Sequence, residues 1–283
     1  MTLPNSPLEP IRQPVKEITS LPWFERLARL GYAAKGVVYF IVGLLATQAA
    51  IGSGGQTTNT TGALKAIVVQ PFGKLLLSII TLGIIGYVLW RLVQTFFDPE
   101  KSKKPINAKR IAQRIGYAIS ALGYTGLALT SVKLIMGSFV GDSDSTEDWT
   151  IYILAQPLGR WLVALAGMMV IGVGLSYLYK AYKGKFRYHL KLSQMSLTEE
   201  NWAVHIGRFG IAARGIVFGI IGIFLMLAAI QSDGTQARGL GGALTALTQH
   251  PFGLWLLGIV GLGLIAYGIY SGIEARYRHI ANL

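Results

Sequence analysis

Six stretches of about 20 residues carry almost no charge, and nothing else in the chain constrains its fold as strongly. The runs 115–132, 161–179 and 251–273 contain no Asp, Glu, Lys or Arg at all. A hydrocarbon core about 30 Å thick takes about 20 residues of helix to cross. A helix buried in a soluble protein would show a polar stripe, and none is visible here. The spans fall near 32–52, 72–96, 115–137, 158–179, 209–230 and 252–273, so the fold class is all-α and polytopic. Composition agrees, with 14% charged residues against about 25% in a soluble domain. The 35 glycines fit membrane helices, where small residues let backbones approach. There is no cysteine, which excludes disulfides, thiolate nucleophiles and Cys-ligated metal centres.

The net charge of +13 raises the question of nucleic acid, and its distribution answers it. Of the 26 Lys and Arg, 21 fall on the side of the two termini and five on the other: Lys65, Lys74, Lys133, Arg160 and Arg238. Basic residues next to spans are retained in the cytoplasm, so both termini are expected there. Five acids (Asp142, Asp144, Glu147, Asp148 and Asp233) neutralise the outer face, so the whole excess is cytoplasmic. It serves topology and attraction to anionic lipid headgroups. No basic groove interleaved with aromatics supports nucleic-acid binding. Residues 1–20 hold four prolines and no apolar core; they are expected to form a flexible cytoplasmic tail, not a signal peptide.

The chain also repeats itself. Gln70-Pro71-Phe72-Gly73 returns as Gln156-Pro157-Leu158-Gly159 and as His250-Pro251-Phe252-Gly253. Upstream, "LGYAAKGVVYF", "IGYAISALGYT" and "FGIAARGIVFG" align on Gly31, Gly116 and Gly210, which precede the prolines by 40, 41 and 41 residues. Three modules follow, at 21–98, 107–184 and 196–278. Each is expected to hold an interfacial helix, a span, a short outer segment and a second span opened by Pro. The interfacial helices are expected in "SLPWFERLARL", "NAKRIAQRI" and "SLTEENWAVHIGRF", with Asn107 as an N-cap and a capping box at Ser196 and Glu199. Pro71, Pro157 and Pro251 suit the first turn of a helix, and Gly73, Gly159 and Gly253 leave room beside a neighbouring helix. With two spans per module, every copy enters from the same side. The modules are therefore expected to be related by pseudo-threefold rotation about the membrane normal.

The Gly-Tyr-Ala-Ala-Lys-Gly stretch at 31–36, its relatives at 116–121 and 210–215, and the three Pro-Leu/Phe-Gly stretches together resemble a family of bacterial membrane proteins. That family is catalogued as domain of unknown function 1206 and is built from paired-helix units, often three per chain. The resemblance covers about 23–280 and implies architecture without activity. The second copy departs most: Ser120 replaces the cation and Ala121 the glycine.

Lys35 and Arg214 occupy one repeat position. The uncharged runs beyond them, 37–51 and 215–230, span about 24 Å, short of the core. These cations must snorkel to the cytoplasmic interface or face the bundle interior, where they would bind an anion or a lipid headgroup. Arg91, near the cytoplasmic end of span 2, could join them. His189, His205, His250 and His279 share no ligand spacing, so no metal or other cofactor is expected. No phosphate loop, Ser-His-Asp set or intramembrane carboxylate is read, and so no catalytic residue. Asn59-Thr60-Thr61 fits a glycosylation sequon, a pattern common by chance. Gly215-xxx-Gly219 and Gly268-xxx-Gly272 are expected to pack helices. The expected function is that of a non-enzymatic membrane scaffold or lipid-interacting protein in the bacterial inner membrane. Its partners would be anionic lipids, with a membrane-protein partner or a second copy possible. The alternative is a transporter or channel for a small, anionic solute along the pseudo-threefold axis.

Overall fold

Each repeat folds as a long helix, a short helix and a second long helix. In the computed structural model, which describes residues 22–96, 108–141 and 145–278, repeat 1 holds α1 (Pro22–Ala50), α2 (Thr60–Val68) and α3 (Gly73–Phe96). Repeat 2 holds α4 (Ala108–Ile135), α5 (Ser145–Leu154) and α6 (Gly159–Lys183), and repeat 3 holds α7 (Leu197–Gln231), α8 (Leu240–Thr248) and α9 (Gly253–Tyr277). The six long helices are each long and apolar enough to cross a membrane. The tail 1–20, Asn107 and His279 lie outside the described residues.

The interfacial helices are not separate elements. α1, α4 and α7 run without a break from their amphipathic first turns into the spans. α7, at 35 residues, is about 52 Å long and overshoots the hydrocarbon core. No proline interrupts the join, and a lone glycine costs a helix only about 1 kcal/mol. The capping box at the start of α7 does form: Ser196 N donates to Glu199 Oε2 at 2.8 Å, and Glu199 N donates to Ser196 Oγ at 3.2 Å. Asn59, read as a sequon, caps α2 by accepting from Gly62 N at 2.9 Å.

The prolines do not sit in the first turn of the long helices, where they were expected. The prolines stand two residues before the long helices, and Phe72, Leu158 and Phe252 after them take left-handed φ of 60°, 65° and 64°. Gly73 N donates to Gln70 O at 2.7 Å, with the same bond at Gly159 and Gly253. Pro at the second position and positive φ at the third mark a type II turn, which normally takes Gly there. Here the third residue is bulky, apolar and highly exposed (Phe72 83%), which suits contact with lipid. Gly73, Gly159 and Gly253 make room for the last carbonyls of the short helix. A Cβ would lie 2.3 Å from Ile67 O, 1.9 Å from Ile153 O and 2.4 Å from Leu247 O.

The second long helix of each repeat packs on the first long helix of the next: α3 on α4, α6 on α7, and α9 back on α1. This cyclic order is the expected pseudo-threefold. Two of these contacts are built on glycines seven residues apart, not four. Gly36 and Gly43 of α1 meet Gly268 and Gly261 of α9, while Gly167 and Gly174 of α6 meet Gly222 and Gly215 of α7. Seven residues are nearly two turns, so both glycines of a pair lie on one face. Gly219 and Gly272, the other members of the four-residue pairs, offer their backbone to Gly174 and Gly36, although a Cβ of their own would meet open space. At the third contact the same places hold Thr81 and Val88 against Ala121 and Ala128, and this contact is less extensive.

Within repeats the symmetry fails once. α1 packs on α3 and α7 on α9, yet among the described residues α4 and α6 scarcely touch. Gly31 and Gly210 show what is missing. A Cβ on them would lie 2.6 Å from Tyr87 N and 2.4 Å from Tyr267 N, whereas at Gly116 nothing lies within 4 Å. The three glycines that align in sequence thus share close surroundings at two positions and differ at Gly116.

Candidate functional site

Lys35 and Arg214 point into the bundle, not toward headgroups: they are 2% and 9% exposed. Helical pitch explains why. Tyr32, Lys35 and Tyr39 fall on one face of α1, and that face is buried against α3 and α9. Lys35 stands 15 residues before the end of α1, about 22 Å along the helix. That places it near the middle of a helix long enough to cross a membrane, slightly nearer its N-terminal end.

Tyrosines enclose the three cations. Lys35 Nζ lies 4.9, 5.4 and 5.1 Å from the ring centres of Tyr32, Tyr87 and Tyr267. The Arg214 guanidinium sits 4.8 Å from Tyr39, 5.3 Å from Tyr177, 5.2 Å from Phe218 and 4.6 Å from Tyr267, and it donates to the Tyr267 hydroxyl. Arg91 lies over Tyr87 at 4.7 Å and Tyr117 at 5.1 Å. It donates to Tyr87 Oη at 2.9 Å and to Gln94 Oε1 at 2.8 Å. Rings of adjoining repeats pair around the cluster: Tyr39 with Tyr267 at 5.0 Å, Tyr87 with Tyr124 at 4.6 Å, and Tyr177 with Phe218 at 5.7 Å. Three tyrosine-lined contacts, one at each junction between repeats, thus converge on Lys35, Arg91 and Arg214.

A buried carboxylate completes the cluster, and the sequence reading missed it. Glu274, 6% exposed, accepts from Lys35 Nζ at 3.4 Å and pairs with Arg278. Its signal lay in the pitch of the last helix. Tyr267, Tyr270, Ser271 and Glu274 recur at three- and four-residue spacing and are all buried, so α9 continues as a buried helix past the apolar run that ends at residue 273. A carboxylate buried within the helix bundle is thus present that the apolar-run boundary had left outside the last span.

The charges do not balance. Among the described residues neither Arg91 nor Arg214 has a carboxylate partner, and Arg214 Nε and Tyr124 Oη are buried without a hydrogen bond. Lys35 and Arg214 are close enough to repel each other. Each cation–ring contact contributes about 0.5–2 kcal/mol, against an effective cost of several kcal/mol for burying each ion. The described residues hold no group of three His, Cys, Asp or Glu fit for a metal ion.

Six apolar helices in three paired repeats around an interior cation cluster define a multi-pass membrane protein. The chain belongs to the family described as Domain of Unknown Function 1206, which matches it three times, at 30–98, 115–184 and 209–278. It is 37% identical over 261 residues to the "Uncharacterized protein YxxB" of Bacillus subtilis (strain 168), covering 92% of this chain and 93% of that one. No solved structure matches it.

Proposed function

We propose that this protein is a non-enzymatic, lipid-interacting protein of the bacterial inner (cell) membrane, with both termini cytoplasmic, that holds an anionic group between Arg91 and Arg214 with Lys35 behind them. The observation that carries this reading is Arg214, which is buried, ringed by aromatics, without a carboxylate partner among the described residues, and has a nitrogen left unbonded. A buried guanidinium in that state favours a phosphate or carboxylate, which accepts two of its N–H groups at once. Lys35 contributes long-range attraction, because Glu274 already pairs with it.

The competing reading is a pathway for a small anionic solute along the pseudo-threefold axis. Tyr39, Tyr87, Tyr124 and Tyr267 crowd the cations where such a pathway would pass, which counts against it. The test is thermal unfolding of the purified chain with and without phosphatidylglycerol. The lipid should stabilise the protein, as any ligand of the folded state does, and the Arg91→Gln/Arg214→Gln variant should lose that gain. An equal gain in the variant would remove the anion-site reading, while anion flux through proteoliposomes that depends on Arg214 would favour the pathway instead.

A further inference from the structure

The parted pair in repeat 2 coincides with a change of residues. In repeats 1 and 3, the two long helices meet where a cation of the first lies against a tyrosine of the second: Lys35 on Tyr87 and Arg214 on Tyr267. The matching residues of repeat 2 are Ser120 on α4 and Val173 on α6, counted from Gly116 and Pro157. Close approach in the other repeats also uses Gly83 against Ala34 and Gly263 against Ala213, and the matching residue of α6 is the larger Met169. Repeat 2 has therefore lost the cation, the tyrosine and the glycine that hold its neighbours shut. Gly116, with open space where its counterparts touch a backbone, reports the same parting independently.

This parting is placed beside the cluster. Tyr117 and Tyr124 belong to α4, and Tyr177 belongs to α6. Tyr117 lies over Arg91 and Tyr177 over Arg214, and Tyr124 is near enough to Arg214 to feel its charge. The two cations of the cluster that have no carboxylate partner among the described residues are thus the two that contact the parted helices. The unbonded Tyr124 Oη and Arg214 Nε belong to the same neighbourhood. α4 and α6 expose Ile115, Ile119, Leu122, Leu165 and Met168, surfaces that suit acyl chains.

Building on the anion-site reading, we infer that the gap between α4 and α6 is a lateral opening through which a membrane lipid places its anionic headgroup on Arg91 and Arg214, its acyl chains remaining outside along α4 and α6. The occupant is a phospholipid with net negative charge. Its phosphate complements two guanidinium groups that have no carboxylate partner among the described residues, and its chains cover apolar helix faces that the ring leaves uncovered. A soluble anion would use the charge and leave those faces bare.

The test uses the full chain purified in detergent. Retained lipid is counted by native mass spectrometry during titration with phosphatidylglycerol, or with phosphatidylcholine of the same acyl chains. The unaltered protein should prefer phosphatidylglycerol by about tenfold or more. Ser120→Trp and Val173→Trp, which fill the gap from opposite sides, should each weaken that binding by about tenfold, with Ser120→Ala binding as the unaltered chain does. Val173 is 40% exposed, so its replacement does not overpack the core if Ser120→Trp fails to fold. Unchanged binding in the folded Trp variants would overturn the lateral route. So would stabilisation by inorganic phosphate, dependent on Arg214, in a chain that retains no phosphatidylglycerol; the anion site would then stand, supplied from water. Phosphatidylglycerol binding indifferent to Arg214→Gln would bring down the anion site itself.

Discussion

Replacing Gly31, Gly116 and Gly210 one at a time with alanine should give opposite results at positions the sequence makes equivalent. At Gly31 the new methyl would lie 2.6 Å from Tyr87 N and 2.8 Å from Tyr87 Cα; at Gly210 it would lie 2.4 Å from Tyr267 N. Those partners are main-chain atoms and cannot rotate aside, so α3 must move off α1, and α9 off α7. Overpacking of this kind costs about 1–3 kcal/mol, with backbone partners at the upper end. Alanine's better helix propensity returns about 1 kcal/mol. The net loss is about 2 kcal/mol at each site, with Gly210 the worse because its clash is tighter. At Gly116 only the propensity gain remains, for want of any atom within 4 Å, so Gly116→Ala should stabilise by about 1 kcal/mol. The three variants can be compared by thermal unfolding in one detergent, followed by circular dichroism. If Gly116→Ala lowered the midpoint as far as the other two, α4 and α6 would be in contact, and the argument from their parting would fail.

Glu274→Gln should destabilise by about 3–5 kcal/mol, because it strands Lys35 in the interior. Glu25→Gln breaks the half-exposed pair with Arg29 and should cost at most about 1 kcal/mol in the same assay; equal losses would refute the burial argument. Phe72→Gly in detergent should change stability little, about 1 kcal/mol of left-handed strain relieved against the loss of an exposed side chain, whereas Phe72→Val should destabilise, since β-branching tolerates positive φ poorly. Reporter fusions in the loops at Ser53 and Gly234 should read non-cytoplasmic, and a cytoplasmic signal from either would invert the charge-based topology.

The number of spans, their threefold repetition and its order were legible because each rests on patterns that a chain displays locally: uncharged length and recurring Pro and Gly. What stayed hidden depended on which face of a helix meets which neighbour. Lys35 near the end of an uncharged run is compatible with snorkelling or with burial, and only the packing of α3 and α9 against that face decides for burial. Glu274 sits one residue past the apolar run, so a hydropathy boundary assigns it to water although the buried helix continues beneath it. The departure at Ser120 was plain in the sequence. Its consequence was not, because a lost contact shows only when the partner residue, Val173, is placed opposite. The seven-residue glycine pairs were masked by four-residue pairs that share a member with them, Gly215 and Gly268.

The contact missing between α4 and α6 also has a mechanical consequence. A complete ring of helices can widen only by breaking a contact, and every widening meets the full stiffness of close packing. With one junction absent the assembly is a split ring, and it can spread or pinch by small rotations shared among the five remaining junctions. Two of those, α1 with α9 and α6 with α7, are locked by interdigitated glycines and should turn as rigid blocks. Compliance is then left to the contacts of α1 with α3, α3 with α4 and α7 with α9. The second of these, where Thr81 and Val88 meet alanines, lies beside Arg91, so bending there would carry the arginine toward the gap or away from it.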